Sequence, residues 1–145
     1  DLSADALAVA RINVDKHALA DRIQLLASDG LSAPELKATG PFNLILCNPP
    51  YVNADSMTAL PQEYLAEPFM ALDGNQAGSR DGMDFIRGLL AQAPEHLAPG
   101  GVLVLEIGNE CENFEAAFPQ LEVVWLETSA GDDQVLLISL DALLK

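Results

Sequence analysis

The sequence predicts an α/β sandwich built on a largely parallel sheet, on three observations. Two near-continuous apolar runs, within "PFNLILCN" (41–48) and "APGGVLVLEIGN" (98–109), have the length and composition of strands covered on both faces. Residues 81–97 carry apolar side chains at helical spacing, and residues 3–15 read as a helix behind a capping Ser3. Strand and helix patterns alternate along the chain, which is the order that lays helices against a parallel sheet.

Taken in order, Ser3 is placed to cap the first helix, with Asp5 in its first turn to complement the helix dipole. "RIQLLAS" (22–28) reads as a short strand ended by Asp29-Gly30, and "PFNLILCN" as the next strand. Residues 52–80 read as an irregular, functional loop region punctuated by Pro61, Pro68, Gly74 and Gly78. A helix is expected from Asp81 to about Leu97, with Phe85, Ile86, Leu89, Leu90, Ala93 and Leu97 on one face and a kink at Pro94. After the 98–109 strand come a short helix, "ENFEAAF" (112–118), and a hairpin of "EVVWLE" (122–127) with "QVLLIS" (134–139) around Gly131-Asp132-Asp133.

The bulk properties narrow the function. The 145 residues amount to one domain, and half of them are hydrophobic. No apolar run approaches the roughly 20 residues of a membrane span, and no basic, apolar leader is seen, so a soluble cytoplasmic protein is expected. Two cysteines, Cys47 and Cys111, make no disulfide framework and fit a reducing compartment. Asp1 stands where an intact start would have Met. Against 22 acidic residues there are 7 basic ones, a formal charge of −15. Nucleic acids are held mainly through Lys and Arg on phosphates, so direct binding to them is not expected, nor is binding to a membrane. A basic protein partner fits the charge, as does a merely solvated acidic surface.

In sheets of this kind ligands bind beyond the carboxyl ends of the strands. Asp1, Asp29, Asn48 and the end of "VLVLEIGN" all fall there. The most specific stretch is Asn48-Pro49-Pro50-Tyr51, directly after an apolar strand. Two prolines lock the backbone, so the Asn48 amide oxygen and the Pro49 carbonyl become two acceptors in fixed directions. A planar –NH2 group is the natural donor to such a pair, and the Tyr51 ring can stack on its plane. Holding both N–H bonds draws the nitrogen toward tetrahedral geometry and turns its lone pair toward an electrophile, without a strong base. The simpler alternative is a rigid turn closing a core strand.

Asn48-Pro49-Pro50-Tyr51 resembles the signature of S-adenosylmethionine-dependent methyltransferases that act on –NH2 nitrogens. With "DLSADALAVARIN", "LLASDGL", "EP..AL" at Glu67 to Leu72, and "LAPGGVLVLEIGN", the whole chain resembles the HemK-type protein N(5)-glutamine methyltransferases. "NPPYVNADSM..LPQEYLAEP" and the ending "WLETSAGDDQVLLI" look most like the PrmB branch, which modifies a glutamine of the third large-subunit ribosomal protein, uL3.

The resemblance implies the C-terminal portion of a class I, Rossmann-like catalytic domain, with residues 1–145 as a single, incomplete domain. The first strand, the glycine-rich loop after it and the N-terminal recognition domain are not in this sequence. It further implies S-adenosylmethionine as cofactor, with Asp1 accepting from the ribose hydroxyls and Asp29 and Gly30 flanking the adenine. Asn48, Pro49, Pro50 and Tyr51 form the glutamine clamp, of which Asn48, Pro49 and Tyr51 are catalytic and Asn48 also meets the cofactor. Read without the resemblance, Asp29-Gly30 is an ordinary turn.

Glu67 either shapes the substrate pocket or is a surface carboxylate. Glu106, within an apolar strand, must be paired or near the site if buried. Cys47 reads as a core thiol rather than a nucleophile. His17 and His96 are far apart in sequence, no cluster has metal-ligand spacing, and no metal role is assigned. The leading function is therefore methylation of a glutamine side-chain amide in a basic ribosomal protein. Its rivals are methylation of an exocyclic base nitrogen in DNA or RNA, and an inactive module that only docks a protein. Without the glycine-rich loop, this chain alone is expected to be inactive, to bind the cofactor weakly or not at all, and to swap, dimerise or re-pair through the bare edge of "FNLILCN".

Overall fold

A computed structural model describes residues 1–129 and 131–145, which form two compact units, 1–40 and 41–145.

The first unit opens with α1 (Ala4–Lys16), capped as expected by Ser3, whose Oγ accepts from Ala6 N at 3.2 Å. Val14 is its buried residue. The helix closes with Ala18 at φ 53°, where Leu19 N reaches back to Val14 O. This is the six-to-one bond that ends helices through a left-handed residue. A short helix that the sequence pattern did not reveal, α2 (Pro34–Thr39), begins on a proline and stops at Gly40. Residues 22–28, expected as a strand, form no strand in this structure. Their ladder has a single rung: the Asp1 amino group donates to Leu26 O, and Ser28 N donates to Asp1 O, both at 3.0 Å. Those bonds flank Ala27 in the manner of a parallel pair, but strand character needs a run of such rungs.

The second unit is built on a four-stranded sheet in the order β1-β2-β4-β3, with β1 (Phe42–Cys47), β2 (Leu97–Glu106), β3 (Val124–Thr128) and β4 (Gly131–Ser139). Only β1 and β2 run parallel; β4 is antiparallel to both β2 and β3. The expected largely parallel sheet is thus a mixed one here. The C-terminal hairpin makes it so, because directly joined neighbours must run antiparallel. Gly131 to Asp133, expected in the hairpin turn, already belong to β4, with Gly131 opposite Thr128.

One face of the sheet is the core. Leu103 pairs with Ile138 and Leu105 with Leu136, and all four are fully buried together with Met83, Ile86, Ile107 and Phe114. The other face is more open than the sequence suggests. A row of Leu46, Val104, Leu137 and Val124 crosses all four strands, yet Leu46 is 71% and Val124 57% exposed. The expectation that β1 is covered on both faces therefore fails at Leu44 and Leu46. They share the open face, while Ile45 and Cys47 share the core face with Leu103 and Leu105.

The predicted long helix starts three residues late, as α5 (Asp84–Gln92), because Gly82 sits at φ 77° and Asp81 instead accepts from Met83 N. At Pro94 it tightens into a 3-10 turn, Ala93–Glu95, rather than merely bending. The "irregular" region holds α3 (Ala54–Thr58), a 3-10 turn (Gln62–Ala66) and α4 (Phe69–Leu72), each too short to show a period. α6 (Cys111–Ala117) lies where expected, and α7 (Leu140–Leu143) ends the chain. Phe114 of α6 packs against Phe118 and Trp125, at ring separations of 4.9 and 6.1 Å.

Candidate functional site

β1 delivers Asn48 at its carboxyl end, next to the end of β2, as the parallel pairing of the two strands requires. Asn48 is exposed, Pro49 is buried, and Pro50 and Tyr51 are half-buried. Asn48, Pro49 and Tyr51 line one cavity of about 500 Å³, together with Tyr64, Glu67 and the segment Gly108–Glu110.

The backbone that follows is fastened on two sides. Val52 bridges to Asp73: Val52 N donates to Leu72 O at 2.9 Å, and Gly74 N donates to Val52 O at 3.1 Å. The Asn75 amide adds a bond to Val52 O at 3.0 Å, and its oxygen accepts from Gly82 N at 2.8 Å. On the other side Asn53 binds Glu110. The Asn53 Nδ2 lies 2.8 and 2.9 Å from the two carboxylate oxygens, and its backbone N–H donates at 3.3 Å. The Asn53 oxygen meanwhile caps α3, accepting from Asp55 N and Ser56 N.

Two glycines let the chain come this close. At Gly82 a Cβ would stand 2.1 Å from the Tyr51 carbonyl oxygen. At Gly108, with φ 52°, it would stand 2.9 Å from the Tyr51 ring and hydroxyl. The ring of Tyr51 thus rests on bare backbone, and its orientation is fixed by packing.

The electrostatics of the cavity are acidic. Burial first, then Glu106, Tyr64, Glu110 and Glu67, raise the Tyr51 hydroxyl above the ordinary phenol range, so it stays a neutral donor. Of the two carboxylates with open readings, Glu67 is exposed and also lines the cavity, while Glu106 is half-buried and acts on Tyr51. Cys47 is pushed up to about 11 by burial and remains a thiol, as a core residue should.

Asp1, Asp29 and Gly30 lie in the first unit, Asn48 to Tyr51 in the second. The single parallel rung sets Asp1 beside Ala27, two residues before Asp29. One Asp1 oxygen accepts from Ser3 N at 2.7 Å. Its other oxygen, and the exposed Asp29, are acceptors suited to a ligand's hydroxyl or amino groups. The Asp29-Gly30 turn is held by Ser28, whose Oγ donates to Gly30 O at 2.8 Å and accepts from Ala33 N at 3.0 Å, with Gly30 at φ 54°.

Sequence reasoning missed Glu110, Asn53, Gly108 and Tyr64. An acid ahead of "CENFEAA" looks like a helix-dipole residue, and Asn53 like a simple cap. Their partnership spans 57 positions and leaves no local signature.

Residues 1–76 match the family described as "Methyltransferase small domain". Curated relatives named "Ribosomal protein uL3 glutamine methyltransferase" align along nearly all of the chain. The protein of Bordetella pertussis is 50% identical over 143 residues, covering 99% of this chain and 46% of its own length. That of Burkholderia pseudomallei is 54% identical over 142 residues, covering 95% of this chain and 45% of its own. That of Francisella tularensis is 36% identical over 145 residues, covering all of this chain and 44% of its own. The chain spans about half the length of the curated relatives it matches. The resemblance seen in its motifs holds along the chain, and on the match over more than half its residues the chain belongs to the methyltransferase small domain family.

Proposed function

We propose that the full-length protein containing this chain methylates the side-chain amide nitrogen of a glutamine in a ribosomal protein of the uL3 type. The observation that carries the reading is the acceptor pair of Asn48 and Pro49 at the wall of a cavity, on a backbone braced by Val52 and Asn53. The names of the relatives support the substrate class.

S-adenosylmethionine, when bound, supplies an electrophilic methyl group. Asp1 and Asp29-Gly30 are suited to the ribose and adenine of that cofactor, and the exposed carboxylates of Asp1 and Asp29 fit such a group. Asn48 Oδ1 and the Pro49 carbonyl accept the two N–H bonds of the substrate amide and fix the direction of its lone pair. The neutral Tyr51 ring, immobilised on Gly108, forms the flat wall against which the amide lies. Pro49 and Pro50 keep the acceptors from relaxing, so orientation rather than a base lowers the barrier.

The family match covers residues 1–76, from the first unit into the second, and the relatives align along nearly all of the chain, which supports reading residues 1–145 as parts of one catalytic domain. No helix among the described residues is long and apolar enough to cross a membrane. A ribosomal substrate argues for a cytoplasmic enzyme, and the −15 charge favours a basic protein over nucleic acid. The test is Asn48→Ala in the full-length enzyme. The loss of one preorganised acceptor lowers kcat by about 10²–10³, with cofactor affinity much less affected. Near-parental turnover contradicts the clamp.

Among the described residues the edge of β1 opposite β2 has no strand partner, and Leu44 and Leu46 beside it are exposed. An apolar edge of this kind pairs with other chains. We infer that this 145-residue chain, produced alone, associates through β1. Light scattering then gives at least the dimer mass, and a monomer across micromolar concentrations contradicts the inference.

A further inference from the structure

The carboxylate of Glu110 has no place in the clamp chemistry, yet it is one of the few buried charges of the chain, at 7% exposure. It occupies the N-cap position of α6 without making a cap bond. Instead it accepts from Asn53 N, from Asn53 Nδ2 with both oxygens, and from Asn113 Nδ2 at 2.6 Å. These donors are neutral amides, and among the described residues no cation pairs with it. Burying a carboxylate this way is costly for stability alone.

What the arrangement achieves is position. Asn53 stands two residues beyond Tyr51, and the prolines between Asn48 and Tyr51 remove the slack that could absorb a shift. The same short segment that supports the Tyr51 ring at Gly108 holds Asn53 at Glu110. With the opposite side already tied through Val52 and Asp73, Glu110 completes a two-sided brace. We propose that Glu110 is a positioning residue that sets the Asn48–Tyr51 clamp through its bidentate hold on Asn53. The inference rests on the methyl-transfer reading for its consequence, but not for its geometry.

Glu110→Gln keeps the shape but turns an –NH2 toward amide donors, while Asn53→Ala removes the link outright. In the full-length enzyme, Glu110→Gln lowers kcat by about tenfold to 10²-fold, the scale of a small misplacement. The affinity for S-adenosylmethionine, measured calorimetrically, stays near the parent's. The double variant loses no more than the worse single one, because both changes remove the same contact. Asn113→Ala, which strips a partner that does not reach the loop, lowers thermal stability and spares kcat.

Amide hydrogen exchange supplies a readout that needs no activity: the backbone amides of residues 51–56 exchange faster in Glu110→Gln than in the parent. A folded Glu110→Gln enzyme with parental kcat, or with unchanged exchange in that loop, overturns the proposal. A parent enzyme that methylates no glutamine refutes the activity instead, and the exchange measurement still decides the positioning.

Discussion

Tyr51 shows how a single residue can be held by what its neighbours lack. Its carbonyl lies against Gly82 and its ring against Gly108, so two positions without side chains define where the aromatic plane stands. Gly108→Ala adds a carbon 2.9 Å from the ring in a left-handed backbone conformation. The ring must move, or the 108–110 turn must open. The expected result is a kcat lower by about tenfold or more, the cost of misplacing a reacting group, with little change in cofactor affinity. Steady-state kinetics with full-length enzyme check this, and parental kcat would show that ring placement is immaterial. At this scale the shared cavity of Asn48, Pro49 and Tyr51 was legible as a candidate site, since Asn-Pro-Pro-Tyr combines polar acceptors with locked backbone in four consecutive positions. Glu110 was not, because its meaning comes from a partner that only the fold brings near.

Among the elements, legibility followed length. α1 is long enough to show its cap and first-turn acid, and β2 its apolar run. α3 and α4 are one turn each and are set by Asn53 capping and by Pro68, not by a repeating pattern. Residues 22–28 have strand composition, but composition supplies no ladder partner.

The start of α5 is where an element responds to pH. Arg87 reaches back to Asp81 at 2.5 Å, and with Met83 N it holds the Asp81 carboxyl well below the usual carboxylate range. A depressed folded-state value stabilises the fold above the unfolded carboxylate's pKa of about 3.9. That stabilisation is lost as pH falls through the folded value. Asp81→Asn therefore destabilises by roughly 0.2–1 kcal/mol at neutral pH, the range for a partly exposed pair. Its gap from the parent closes as the pH is lowered below about 4. Thermal melts across about pH 3 to 7, a window set by that pKa, check the sign. A gap that widens in acid contradicts it.

At the scale of the whole molecule, alternation gave the α/β class, while the balance of parallel and antiparallel pairing depended on how the last hairpin docks. The apolar content of β1 correctly marked a strand but overstated its cover, since Leu44 and Leu46 stand on the open face. Composition cannot distinguish a side chain that is buried from one that awaits a partner. On the proposed function, the acidic excess favours a basic protein as substrate. The most direct measurement offers full-length enzyme and S-adenosylmethionine to purified ribosomal protein uL3, to DNA and to RNA in separate reactions, each read by mass spectrometry. The account predicts a gain of one methyl group on uL3 alone, located by fragmentation to a glutamine side chain and absent when Asn48 is Ala. A methyl group on nucleic acid, on another protein side chain, or on nothing at all contradicts it.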